Sequence, residues 1–247
     1  MTYQSVFQRY EIKYILTPKQ CAEIKSTIAD RMHIDEYGPT TIRNIYLDTE
    51  DYRLIRASLD KPVYKEKIRI RSYRHATSDD NVFVELKKKY EGIVYKRRIE
   101  SANYLAMDWL CAGGDAPDDS QISREISYFR DFYSGIAPRA LITYEREAYA
   151  PIDPEKDDIR ITFDRNILGR DYNISLSSGI YGDHILPKDK VLLEVKIPGV
   201  MPLWLTRYLN EHHIRKVSFS KYGEYYMNHI RTNNNDKDIK EGGLLYA

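Results

Sequence analysis

Lys67-Ile68-Arg69-Ile70-Arg71 is the stretch that decides the fold. Apolar and basic residues alternate in it. A strand points successive side chains to opposite faces, so Lys67, Arg69 and Arg71 share one face and Ile68 and Ile70 the other. The same alternation recurs on either side, in Arg9-Tyr10-Glu11-Ile12-Lys13, Phe83-Val84-Glu85-Leu86-Lys87, Val94-Tyr95-Lys96-Arg97-Arg98, Tyr144-Glu145-Arg146, Arg160-Ile161-Thr162-Phe163-Asp164 and Leu192-Leu193-Glu194-Val195-Lys196. The charge-bearing faces carry Arg9, Lys13, Lys67, Arg69, Arg71, Lys87, Lys96, Arg98, Arg146, Arg160 and Lys196 against Glu11, Glu85, Asp164 and Glu194. Eleven bases less four acids leave a surplus of seven, whereas the whole chain carries only +1. Converging faces of this kind repel one another unless a polyanion lies between them. A sheet with one face in water also alternates, and for any one strand that is the ordinary explanation. Solvated faces, however, mix Lys with Glu, Thr, Ser and Gln. Here Arg and Lys recur at two-residue steps in strand after strand.

At 247 residues, with 42% hydrophobic and 30% charged content, the chain fits a single large globular domain. Tyrosine is over-used, 22 residues against 6 Phe and 2 Trp, which suits a sheet with one polar face. The near-neutral charge argues against a nucleic-acid binder. Cys21 and Cys111 alone make neither a disulfide framework nor a thiolate metal site. There is no basic-then-apolar leader and no run near the ~18 apolar residues of a membrane span, so a cytoplasmic location is expected.

Strands are expected at 9–15, 42–48, 64–73, 82–89, 93–100, 140–149, 158–164 and 190–197, eight in all, enough to close a barrel. Thr17-Pro18-Lys19-Gln20 is a capping-box start, and Cys21, Ile24, Ile28 and Met32 share a helical face, predicting a helix over 18–32. Further helices are expected at about 49–58, within 101–135, at 202–213 and at 220–231. A polar loop, a lid candidate, spans 169–190. The fold class is therefore α+β, an eight-stranded antiparallel barrel with flanking helices. One domain is expected over 1–232, with a disordered tail over 233–247.

The order of Arg9-x-Glu11-x-Lys13, Lys67-x-Arg69-x-Arg71, Glu85-x-Lys87, Lys96-x-Arg98, Tyr144-x-Arg146, Glu194-x-Lys196 and Ser218-Phe219-Ser220-Lys221-Tyr222 resembles the VTC domain. That is the polyphosphate polymerase module of the CYTH, or triphosphate tunnel metalloenzyme, superfamily, and the likeness runs from about residue 5 to 230. The resemblance implies an eight-stranded tunnel that binds a nucleotide triphosphate and a divalent metal, and transfer of the ATP γ-phosphate to polyphosphate. It implies that Lys13, Arg69, Arg71, Lys87, Lys96, Tyr144, Arg146, Ser220 and Lys221 contact phosphates, with Arg98 and Lys196 on the same faces, and that Glu194 holds manganese or magnesium. ATP and polyphosphate or pyrophosphate are the implied partners, with a membrane partner protein open.

Two departures bear on chemistry. Arg9 stands where hydrolytic tunnel enzymes place the first Glu of Glu-x-Glu-x-Lys, which weakens a two-metal arrangement for activating water. Ser218 stands where VTC polymerases can carry a base. The alternatives are a triphosphatase of the same superfamily and a non-catalytic polyphosphate or nucleotide module. Among other candidates, adjacent His212 and His213 do not face each other on a helix. Cys21 reads as core, and within Lys87-Lys88-Lys89 only Lys87 is assigned to the site, through its shared parity with Glu85. Lys87→Ala and Arg146→Ala are each expected to cause a large loss of activity with the fold intact.

Overall fold

In the structure, a computed structural model, residues 10–91, 93–154 and 158–232 are described. Arg9 and the proposed tail over 233–247 lie outside them. Strand β1 (Tyr10–Leu16) leads into α1 (Pro18–Ile28) through the expected capping box. The Thr17 hydroxyl accepts from the Gln20 N–H at 3.2 Å, and the Gln20 side chain accepts from the Thr17 N–H at 2.9 Å. Helix α1 buries Cys21, Ile24 and Ile28 but ends before Met32, which keeps its place in the same core from a short strand, β2 (Met32–Ile34).

There follow β3 (Thr40–Asp48), α2 (Arg53–Leu59), β4 (Tyr64–Ser72), β5 (Asn81–Tyr90) and β6 (Ile93–Ala102). Helix α3 (Asn103–Met107) runs into a π-helical turn (Asp108–Ala112) and is followed by α4 (Gln121–Phe132). Then come β7 (Ala137–Pro151), β8 (Arg160–Arg170), β9 (Asp183–His184), β10 (Val191–Ile197), α5 (Leu203–Glu211) and β11 (Lys216–Val217). The last helix, α6 (Lys221–Tyr225), continues as a π-helical turn (Tyr226–Ile230).

All strands belong to one antiparallel sheet of 11, in the order β11-β1-β10-β8-β7-β3-β4-β5-β6, with β2 on β7 and β9 on β8. The eight long strands match the expected ones. The expected closed eight-stranded barrel does not form: among the described residues no ladder joins β6 to β1, so the sheet is curled and open. Strand number permits closure without enforcing it, and strands of two or three residues are too short to show an alternation.

Three cores hold the curl. Outside β1, β8 and β10, residues such as Leu16, Phe163 and Val195 pack on α1 and α5. Outside β3, β4 and β5, Ile45, Ile68, Ile70 and Val84 pack on Trp109 and on Ile126 and Phe129 of α4. The third core lies on the face opposite these helices, where Ile42, Ile142, Tyr144 and Leu192 meet Tyr222, Tyr225 and Tyr226. Tyr222 stacks on Tyr46 with centroids 4.8 Å apart. Gly169 permits this docking, because a Cβ there would come within 2.4 Å of the Tyr225 ring. The loop expected as a lid is anchored instead. Leu176, Ile185 and Leu186 are buried. Arg43 donates to the Leu176 carbonyl at 3.1 Å, and Arg170 to the Gly179 and Tyr181 carbonyls at 3.0 and 2.7 Å.

Candidate active site

The register of the ladders turns the alternation into geometry. Tyr46, Arg69, Glu85 and Arg98 lie side by side across β3, β4, β5 and β6, and Lys67, Lys87 and Lys96 form the neighbouring row. On the other arm of the sheet Glu11 faces Lys196, Lys13 faces Glu194, and Arg146 faces Asp164. Residues directly opposite in a ladder project to the same side, so the charged rows share the concave face.

Glu85 organises one wall. Its carboxylate is almost fully buried and lies 2.7 Å from Arg69 Nη2, 2.7 Å from Lys96 Nζ, 3.2 Å from Arg98 Nε and 3.6 Å from Arg71 Nη1. Arg71 also donates to Asn44 at 2.9 Å and to the Tyr144 hydroxyl at 3.4 Å, while Arg98 lies 3.7 Å over the Phe83 ring. The opposite wall centres on Asp164 and Glu194. Arg146 grips Asp164 with two bonds of 2.6 and 2.7 Å and reaches Glu194 at 2.9 Å. Lys221, from the N-terminus of α6, contacts Asp164 at 2.6 Å and Glu194 at 2.9 Å and lies 4.5 Å over the Tyr144 ring. Lys13 adds contacts to Glu194 at 3.4 Å and to Glu11 at 3.2 Å.

Side chains bridge the open seam. Lys87 on β5 meets Glu11 on β1 at 3.4 Å, and Lys67 on β4 donates to the Ser220 hydroxyl at 3.0 Å. That hydroxyl also caps α6 by accepting from the Gly223 N–H.

The lining thus contains ten cations (Lys13, Lys67, Arg69, Arg71, Lys87, Lys96, Arg98, Arg146, Lys196, Lys221) and four acids (Glu11, Glu85, Asp164, Glu194), a surplus of six. The surplus shows in the titration of its members. Burial, then neighbouring Lys87 and Lys65, pushes Lys67 down to about 7. Burial pushes Lys96 and Lys196 down to about 8, each against a favourable carboxylate. The acids respond in the opposite sense. Burial raises Glu85, but Arg69, Arg71 and Lys96 hold it well below the usual carboxylate range. Lys221, Lys13 and Arg146 do the same for buried Glu194.

All twelve residues expected at the site therefore line one space. Arg160, counted on the basic faces, is half exposed and bonds Asp35 at 2.9 Å, so it lies at the rim. Lys88 has the outward parity and lies 3.9 Å from Glu125 of α4. His212 stacks on Tyr208 at the end of α5. Tyr144 is buried in the third core and also touches Arg71, Arg146 and Lys221, so packing and polar contact coincide in it. Asp164 and Glu11 were legible as acids on these faces, but their partners were not. Lys89, left out of the site within Lys87-Lys88-Lys89, and Lys65 opposite it continue the inward parity of Lys87 and Lys67.

The donor set suits a hard cation in a limited way. Glu194 offers carboxylate oxygens with Glu11 nearby, and among the described residues no three His, Cys, Asp or Glu groups converge as a closed cage. One carboxylate completed by ligand phosphates fits magnesium or manganese.

The fold is similar to that of CYTH-like proteins. A candidate adenylate cyclase from Bacillus halodurans, known from its crystal structure, superposes with a TM-score of 0.52 at 15% identity, covering 87% of this chain and 94% of its own. A second candidate adenylate cyclase, from Vibrio parahaemolyticus, gives a TM-score of 0.45 at 11% identity over 90% and 98% of the two chains. A comparison with curated proteins gives no match. The VTC domain model matches residues 8–228, and the chain belongs to the VTC domain family of the triphosphate tunnel superfamily. Among the described residues no helix is long and apolar enough to cross a membrane.

Proposed function

We propose that this chain is a polyphosphate polymerase that transfers the γ-phosphate of ATP to the end of a growing inorganic polyphosphate chain. The bond between the γ-phosphorus and its bridging oxygen breaks. A terminal oxygen of the acceptor bonds to that phosphorus, and ADP departs. The observation that carries this reading is the gathering of ten cations on one concave face with only four carboxylates among them.

Phosphoryl transfer spreads charge over the γ-phosphate oxygens, so positioning and positive field supply most of the catalysis. Arg69, Arg71, Arg98 and Arg146 offer planar forks that hold phosphate oxygens in a defined orientation. Lys13, Lys87, Lys96, Lys196 and Lys221 add point charges that bring two anions together. The Tyr144 and Ser220 hydroxyls orient oxygens at the α6 end. An acceptor phosphate is already anionic and needs no general base. That no group of three acid, His or Cys ligands forms among the described residues favours transfer to phosphate over two-metal activation of water. Glu194, with Glu11 beside it, is the proposed holder of manganese or magnesium, which when bound supplies Lewis-acid stabilisation of phosphate oxygens.

Purified protein with ATP and manganese is expected to yield ADP and a long anionic polymer resolved on a polyacrylamide gel. Release of orthophosphate without polymer identifies a triphosphatase instead. Binding without turnover, unaltered by Glu194→Gln, identifies a non-catalytic module.

A further inference from the structure

The inward rows of β4 and β5 do not stop at the charge cluster. Lys67 faces Lys87, and one step further along the same face Lys65 faces Lys89. Like charges directly opposite in a ladder are destabilising, and two such pairs occur in succession. Lys61, Lys65, Lys89 and Ser218 line a recess of about 410 Å3. The acid at its edge, Glu91, enters none of the ion pairs found among the described residues. The Lys65 ammonium donates to the Ser58 carbonyl at 3.1 Å, and burial together with Lys89 and Lys61 lowers its pKa.

We propose that this recess is a second subsite, which holds the body of a polyphosphate chain whose reacting end lies among Arg69, Arg71, Lys96 and Lys221. The inference rests on the polymerase reading and extends it to the path of the chain. Three features point to a linear inorganic polyanion. First, the recess continues the inward face of the sheet without a break in parity, so one ligand can occupy both places. Second, its cations are all lysines, whereas four arginines line the inner cluster. Guanidinium forks fix an oxygen pair in one register, but ammonium groups are point charges that read no plane. A chain that advances by one phosphate per turnover needs fixed geometry at its reacting end and none along its body. Third, none of the residues lining the recess is aromatic, so no ring is offered there for a base to stack on.

The test compares wild type with a Lys61→Gln/Lys65→Gln/Lys89→Gln variant, using end-labelled tripolyphosphate and a polyphosphate of about 100 units as probes. Counterion release from a single strand scales as ~0.7 per contact. The log–log salt slope for the long probe is expected to fall by about 2, with binding at low salt weakened about tenfold or more. Tripolyphosphate affinity is kept, and the thermal midpoint is kept or raised because the opposed Lys65–Lys89 pair is relieved. Equal affinity and slope for the long probe in both proteins overturns the proposal, as does equal weakening of both probes. If the triple variant fails to fold, exposed Lys89→Gln alone is expected to lower the slope by about 0.7, and an unchanged slope overturns the proposal. Polyglutamate of matched charge is expected to compete weakly with the long probe, and competition at equal strength overturns the assignment to polyphosphate. Wild-type protein that makes no polymer yet binds by length contradicts the polymerase reading and leaves the subsite standing. Wild type that polymerises while the variant gives the same product length contradicts the subsite alone.

Discussion

The two walls of the basic space are built on different charge ratios. On β4, β5 and β6, six cations (Lys67, Arg69, Arg71, Lys87, Lys96, Arg98) share the inward face with one acid, Glu85, which contacts four of them. Across from them Lys13, Arg146, Lys196 and Lys221 are set among Glu11, Asp164 and Glu194, four against three. The first wall is left with net charge that an anion can neutralise. The second is nearly balanced, and Lys13, Arg146 and Lys221 are held there in ion pairs with its carboxylates. Loss of a cation should therefore affect mainly ligand binding on the first wall, and the fold as well on the second.

The largest effect is expected from Lys221→Met or Arg146→Ala. Either leaves Asp164 and Glu194 buried with a missing partner, and breaking a buried pair costs about 3–5 kcal/mol. Calorimetry should show a clear fall in the melting temperature along with lost activity. This departs from the expectation that Arg146→Ala leaves the fold intact, because Arg146 bridges two buried carboxylates. Unchanged melting would break the comparison.

Next in size, Arg69→Ala should cut ATP turnover by about 10²-fold or more with little loss of stability, since Glu85 keeps Lys96, Arg98 and Arg71. A melting shift as large as that of Lys221→Met would show the walls to be equivalent. Glu194→Gln should reduce metal-supported turnover at least about tenfold while tripolyphosphate binding without metal is kept or tightened, read by titration calorimetry.

The smallest effect concerns pH. Lys67, Lys96 and Lys196 have folded values of about 7, 8 and 8, below the ordinary lysine value of 10.5. Between those limits the unfolded chain binds more protons than the folded one, so the stability of the ligand-free protein should rise from pH 7 towards 10. Tripolyphosphate needs these groups charged, so its stabilisation should be greater at pH 7 than at pH 9. Melting curves at both pH values, with and without ligand, measure this, and a ligand effect that grows with pH would contradict it.

Much of the lining was legible because parity is a local property. Lys67, Arg69 and Arg71 had to share a face whatever the rest of the chain did. What the faces enclose was not local. Arg146 meets Asp164 only through a β7–β8 register that shifts between Thr143 and Glu145, and no alternation reveals such a shift. The position of Lys221 depends on α6 entering the concave side, which follows from Gly169 making room for Tyr225 and from Tyr46 stacking on Tyr222. A helical period shows that a helix has an apolar face without saying which surface receives it. Closure failed as an expectation for a related reason: counting strands is local, whereas joining the outermost two depends on the curvature of the whole sheet.

Strand β1 pairs with β10 and β11, and Lys13 donates to the Phe219 carbonyl across 206 residues of sequence. A ribosome must therefore extrude nearly the entire described polypeptide before the first strand finds its neighbours. Such long-range topology folds slowly, and until then the nascent N-terminal edge is unpaired and open to aggregation. Expression yield should improve more from added chaperone than from stabilising either wall.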